Sequence, residues 1–225
     1  MKIRFRHVCS LALLLFPCTL WADAGAKGDD AIRPNANGWY SLFNGKDLSG
    51  WKKSEDNPDT IQVVDGEIVA HGSCCHLYYD GPVNDANFKN FEWMCEILTK
   101  PGSNSGMYFH ARYQPTGWPK TGVEIQVNNT QSDPRKTGSI YRIKDIMHDS
   151  PAKDNEWFTQ HVIVNGRQIT VKVNDEVVNQ YTWPDDLKRD EGWEGNVLSS
   201  GTFVLQGHDP DSEVHYRKVL VKPLP

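Results

Sequence analysis

Residues 102–129 read GSNSGMYFHARYQPTGWPKTGVEIQVNN, and the runs at the two ends decide the fold. In Tyr108-Phe109-His110-Ala111-Arg112 and in Val123-Glu124-Ile125-Gln126-Val127, apolar and polar side chains alternate. That is the period of a β-strand with one dry face and one face of a different kind. The second face carries Tyr108, His110 and Arg112 on one strand and Glu124, Gln126 and Asn128 on the other. An imidazole, a guanidinium, a carboxylate and two amides on one side are more than a solvated surface requires.

Strand signals continue in both directions. Ile61 to Val64, the turn Asp65-Gly66, and Glu67 to Ala70 predict a hairpin with a favoured two-residue turn. Phe91 to Leu98 alternates around Trp93 and Cys95. Phe158 to Val164, Asn165-Gly166 and Gln168 to Val173 predict a second hairpin, extended through Asn174-Asp175 to Glu176–Tyr181. Gly201 to Gly207 and Val214 to Val221 complete the series. Helical periodicity is scarce, with Pro184 to Asp190 the best short candidate. Many short strands divided by Gly, Pro, Asn and Asp predict an all-β domain, a jelly-roll β-sandwich of two antiparallel sheets. In such a sandwich the inner faces form the core, and a curved sheet turns its outer face into a trough. The polar row would line that trough.

With 225 residues and 38% hydrophobic content, the chain suffices for one sizeable core. Its net charge of -5 becomes -7 without residues 1–24, which hold three cations and one anion. Acidity without a basic run argues against nucleic acid as a partner. Eight Trp and eight Tyr are generous, and Trp51, Trp118, Trp183 and Trp193 fall beside Gly or Pro in expected loops. Flat rings there can stack on sugars, although loop anchoring explains such residues equally well.

The N-terminus carries a basic MKIRFRH, a short apolar run and Ala22-Asp23-Ala24, an A-x-A cleavage site. We expect a signal peptide over 1–24, export to a periplasm with cleavage near Ala24, a polar tether over 25–38, and one domain over 39–225. The apolar run is short for a membrane span and no other segment reaches about 20 apolar residues, so no membrane insertion of the mature chain is expected. Cys74, Cys75 and Cys95 remain after cleavage, permitting at most one internal bridge. Cys95 reads as a buried strand thiol, and a Cys74–Cys75 bridge would be strained. None reads as a nucleophile.

Further motifs carry a resemblance. LFNGKDLSGW (42–51), NSGMYFH (104–110), GVEIQVNN (122–129), KTGSIY (136–141), EWFTQHVIVNGRQITVKVND (156–175) and GTFVLQGHDPDSEVHYRKVLVKPL (201–224) occur in order. Over residues 39–224 the chain resembles the bacterial 3-keto-disaccharide hydrolase family, exported concanavalin A-like sandwiches. The resemblance implies a carbohydrate substrate: a glycoside already oxidised to a ketone at C3. Such a ketone acidifies the C2 hydrogen, so a base can remove it, the C1 substituent can depart, and water can add. This route needs one base, a group to stabilise the enolate, and a proton donor for the leaving oxygen.

The candidate catalytic residues are Glu124 as base or acid, Arg112 for the enolate, and His208 and His110 for proton transfer. Gln126, Asn128, Tyr141, Tyr108 and Trp118 are the candidate sugar contacts. Each has a plainer alternative. Glu124 and Arg112 can form a cross-strand ion pair, and His208 can be a structural histidine. No cofactor is established, but a divalent metal held by His110, Glu124 and His208 stays open. A conventional endoglucanase would want further carboxylates after Glu124, where Gln126 and Asn128 stand. A non-catalytic lectin-like module using the same trough remains the competing function.

Overall fold

The computed structural model describes residues 32–225, which form one compact unit, Ile32–Pro225. The expected signal peptide lies outside the described residues, as does the first half of the expected tether. Thirteen strands follow in chain order: β1 (Tyr40–Ser41), β2 (Trp51–Lys53), β3 (Ile61–Val64), β4 (Glu67–His71), β5 (Cys75–Tyr79), β6 (Phe91–Thr99), β7 (Asn104–Ala111), β8 (Val123–Asn128), β9 (Phe158–Asn165), β10 (Gln168–Val173), β11 (Glu176–Thr182), β12 (Thr202–Gly207) and β13 (Glu213–Pro223). They build two sheets. One runs β11-β10-β9-β6-β13-β4-β3, with β1 paired to β13, and the other runs β2-β5-β12-β7-β8. The domain is therefore an all-β sandwich of two antiparallel sheets.

Alternation explains the large sheet. On β6, Phe91, Trp93, Cys95 and Ile97 are fully buried, while Glu92, Met94, Glu96 and Leu98 are only partly so. The buried set meets Phe203, Leu205, Met107, Phe109 and Ile125 from the small sheet. Phe203 stacks on Trp93 at 4.4 Å between ring centroids. Asp65-Gly66 and Asn165-Gly166 close their hairpins as expected, with positive φ at Asp65, Gly66 and Gly166.

Two details depart from the sequence reading. Pro184–Asp190 forms no helix. Seven residues are too few to stabilise an isolated helix. The segment is instead tied at Trp183, whose N–H donates to Arg167 O, and by an Arg167–Asp185 ion pair. Strand β5 was not visible in the sequence because Cys75, Leu77, Tyr78 and Tyr79 make a short, nearly continuous buried run in which His76 is the one plainly polar side chain, too little for alternation to show.

The small sheet is dry on its inner face and carries the polar row outside. The segment after β8 folds back along that strand: Gly138 N–H donates to Gln126 O, Gln126 N–H to Ser139 O, and Tyr141 N–H to Glu124 O. This edge contact brings Tyr141 to the rim of the polar face.

Candidate active site

The cavity on the outer face of the small sheet has a volume of about 290 Å³. Asn104, Tyr108, Glu124, Gln126, Gln206 and His208 supply its polar lining, and Tyr141, Trp118, Pro119 and Trp193 its aromatic and apolar walls. Asn104 and Tyr108 come from β7, Glu124 and Gln126 from β8, and Gln206 from β12. Direct register pairs hold the floor together, with Tyr108 opposite Glu124 and Gly106 opposite Gln126.

His110 and Arg112 do not join it. Between the pairs Val204↔Tyr108 and Thr202↔Ala111, β12 advances two residues and β7 three. The extra residue is a β-bulge, and His110 sits in the left-handed region at φ 58. A one-residue slip reverses every later facing. Ala111 consequently clusters with Tyr78, Tyr108 and Val204, while the His110 ring lies 5.7 Å from Phe91 and 4.9 Å from Phe109. His110 Nε2–H donates to Lys89 O at 3.0 Å and Nδ1 accepts from Ser199 N–H at 3.1 Å. Both ring nitrogens are engaged, and burial pushes the imidazole down to about 4. The side chain is a neutral clamp on the bulge. Arg112 is exposed and lines a separate depression with Lys52, Asp80 and Asp85. No Glu124–Arg112 ion pair forms, and His110, Glu124 and His208 do not converge on a metal. Among the described residues no group of three or more His, Cys, Asp or Glu side chains is arranged to hold a metal ion.

Asn128 is also committed elsewhere. Its amide donates to Asp133 O and Arg135 O, anchoring the loop after β8. Cys74, Cys75 and Cys95 are free thiols, each raised in pKa by burial.

Glu124 is the chemically distinctive group. Burial pushes its carboxyl up to about 8, against hydrogen bonds from Tyr108 and Gln206 that favour the charged form. Gln206 Nε2 donates both to Tyr108 Oη at 2.7 Å and to Glu124 Oε1 at 3.3 Å. Gly106 makes this placement feasible: a Cβ built there would overlap Glu124 Oε1 and lie 3.1 Å from its Cδ and Cγ. The carboxylate thus lies across the bare backbone of the neighbouring strand. Across the cavity, His208 Nδ1 bonds Asp209 Oδ2 at 2.7 Å, and its ring centroid lies 5.1 Å from that of Trp118. An Nδ1–H donated to a carboxylate leaves Nε2 as the free acid–base atom.

The comparisons with known proteins agree with this architecture. The domain described as 3-keto-alpha-glucoside-1,2-lyase-like matches residues 38–222. The chain belongs to that family. A 3-keto-disaccharide hydrolase of Bacteroides thetaiotaomicron is 25% identical, covering 84% of this chain and 80% of that protein. A crystal structure from Parabacteroides distasonis, provisionally described as a glycosyl hydrolase, superposes with a TM-score of 0.71 at 24% identity. The match covers 84% of this chain and 95% of that one. A Bacillus subtilis protein with a galectin-like fold matches at TM-score 0.56 and 10% identity, over 78% of this chain and 90% of its own. The lyase-like domain is therefore a concanavalin A-like, galectin-like sandwich.

In this lyase-like domain, six residues expected at the site line one cavity: Glu124, His208, Gln126, Tyr141, Tyr108 and Trp118. Asn104, Gln206 and Trp193 join them. Asn104 was legible, since the alternation of Tyr108 runs back through Gly106 to Asn104. Gln206 shares the alternation of His208. Trp193 carries no periodic signal, because it sits in a loop. His76 was hidden with β5. It is fully buried, opposite Gln206, with its ring 5.5 Å from Trp118 and 6.1 Å from Tyr108. Burial pushes it down to about 4, and its Nε2 has no partner among the described residues.

Proposed function

We propose that this chain releases the C1 substituent of a glycoside oxidised to a ketone at C3. Glu124 takes the C2 proton, and the C–H electron pair enters the ketone as an enolate. The enolate then expels the C1 oxygen, which leaves with its bonding pair and accepts a proton from His208, oriented by Asp209. Water adds to C1 of the resulting enone and a proton returns to C2, so the net reaction is hydrolysis. The enolate oxygen is held by the neutral donors of the floor, Asn104, Gln126 and Tyr108, which take over the part expected of Arg112. Neutral donors in a buried site stabilise developing charge strongly because little competing water is present.

The observation that carries this reading is a single carboxyl, raised to about 8, on the floor of a cavity near the small end of ligand-site volumes. A carboxylate of that basicity is a far better match to a carbon acid than one near 4.5. A purely sugar-binding trough has no use for a buried carboxyl that resists ionisation. The chain is also proposed to act after export, cleaved near Ala24.

The test is the pH dependence of turnover on a 3-keto-glucoside. With Glu124 as base, kcat rises to a plateau above about pH 8, and Glu124→Gln lowers it by about 10²–10⁴-fold. A rate that falls through pH 8 makes Glu124 an acid and overturns the assignment. In heavy water the sugar product acquires deuterium at C2. Equal rates on the parent glucoside would overturn the whole scheme, and sugar binding without turnover would favour the lectin-like function.

A further inference from the structure

A second compartment of about 660 Å³ adjoins the catalytic cavity and shares Trp118, Pro119 and Trp193 with it. It lies between the loop that joins β7 to β8 and the loop that joins β11 to β12. Its polar side chains are largely engaged in holding those loops. Gln114 Nε2 donates to Thr116 O and Trp118 O, and Gln114 Oε1 accepts from Lys120 N–H. Asn196 Nδ2 donates to Gly122 O. The amide N–H groups that would otherwise greet sugar hydroxyls are thus occupied, and apart from the Lys120 ammonium and the Thr116 hydroxyl what remains is mostly the apolar surface of Pro115, Trp118, Pro119 and Trp193.

The two tryptophans that divide the compartments are braced from behind. Trp118 is 48% exposed, yet its ring contacts His76 and His208. Trp193 is 5.8 Å from Tyr141 and carries the Arg142 guanidinium 4.8 Å from its centroid. Braced, partly exposed indoles lose little freedom when a ring stacks on them.

Building on the reading of the catalytic cavity, we infer that this second compartment seats the C1 leaving group, and that the leaving group it fits is an aromatic ring. An aryl 3-keto-glucoside is then a better substrate than a 3-keto-disaccharide. A second hexose would bring several hydroxyls to walls with few free partners, whereas a phenol offers one face for stacking and one oxygen for His208. Discrimination by unpaired polar groups and by stacking are both established devices.

The experiment compares kcat/KM for phenyl, methyl and glucosyl 3-keto-glucosides of the same anomer, in wild type and Trp118→Ala. Wild type should prefer phenyl to methyl by about tenfold or more, of which one stacked ring supplies a factor of roughly 2–10 and the better leaving group the rest. Trp118→Ala should lower that ratio by a factor of roughly 2–10, leaving the preference set by the easier departure of phenoxide, whatever it does to the methyl rate. A glucosyl substrate that outperforms phenyl, or a ratio unmoved by Trp118→Ala, overturns the inference. Because phenoxide also departs more readily than methoxide, calorimetric binding to Glu124→Gln is measured in parallel. Tighter binding of phenyl than methyl supports the aromatic seat even if the wild type turns over neither, which would overturn only the catalytic reading. Equal binding of the two overturns the aromatic seat alone, and binding of neither overturns both.

Discussion

Glu124→Gln should change how the stability of the domain depends on pH, in a direction and by an amount set by the burial of one carboxyl. In the unfolded chain this group titrates at its ordinary 4.5; in the fold it titrates near 8. The folded state therefore holds the proton more tightly, and stability falls as pH rises from about 4.5 through about 8. At about 1.4 kcal/mol for each tenfold, the gap corresponds to on the order of 5 kcal/mol when fully expressed. Between pH 5 and 9, about 4 kcal/mol of it is realised. Glutamine keeps an acceptor for Gln206 and Tyr108 but carries no titrating proton. Relative to wild type, Glu124→Gln should become more stable by about 4 kcal/mol over that interval. Urea unfolding of both proteins at pH 5, 7 and 9 reads the difference directly, since a single compact unit supports a two-state treatment. Other titrating groups cancel in the comparison. A difference that stays constant from pH 5 to 9 would refute the claim that the carboxyl is held protonated by the fold.

Gly106→Ala should leave the strand intact, but its Cβ would collide with the Glu124 carboxyl and displace it. We expect about a 10²-fold loss of kcat with little change in thermal midpoint, since misplacing a catalytic group by about 1 Å has such effects. Arg112→Ala should retain near-wild-type kcat, because Arg112 faces another depression; a loss above tenfold would restore it to the site. His76 and His110 are buried neutral with values near 4 against an ordinary 6.5. Their stabilisation is present above about pH 6.5 and lost as pH falls through about 4, so acid unfolding should shift to lower pH in His110→Gln. Mass measurement of exported protein should place the mature N-terminus near Gly25, and a folded Cys74/Cys75/Cys95 triple Ser variant should stay active.

Much of this protein is local, and local features were readable. Alternation along β6, β9 and β10 determined which side chains became core, because period two is a property of the extended chain itself. The Asp-Gly and Asn-Gly pairs determined the hairpins, because only residues tolerant of positive φ close such turns. The same alternation placed Tyr108, Glu124, Gln126 and Gln206 on one polar face. What alternation could not reveal was the bulge at His110, since an inserted residue leaves the sequence pattern unchanged while reversing the facing of all that follows. His110 and Arg112 left the site for that reason alone. Nor could it reveal β5, which is buried on both faces, and so His76 was hidden with it. The basicity of Glu124 belongs to neither strand. It arises from burial of the carboxyl against the neighbouring strand at Gly106, in spite of the hydrogen bonds from Tyr108 and Gln206, and desolvation is a property of the assembled fold.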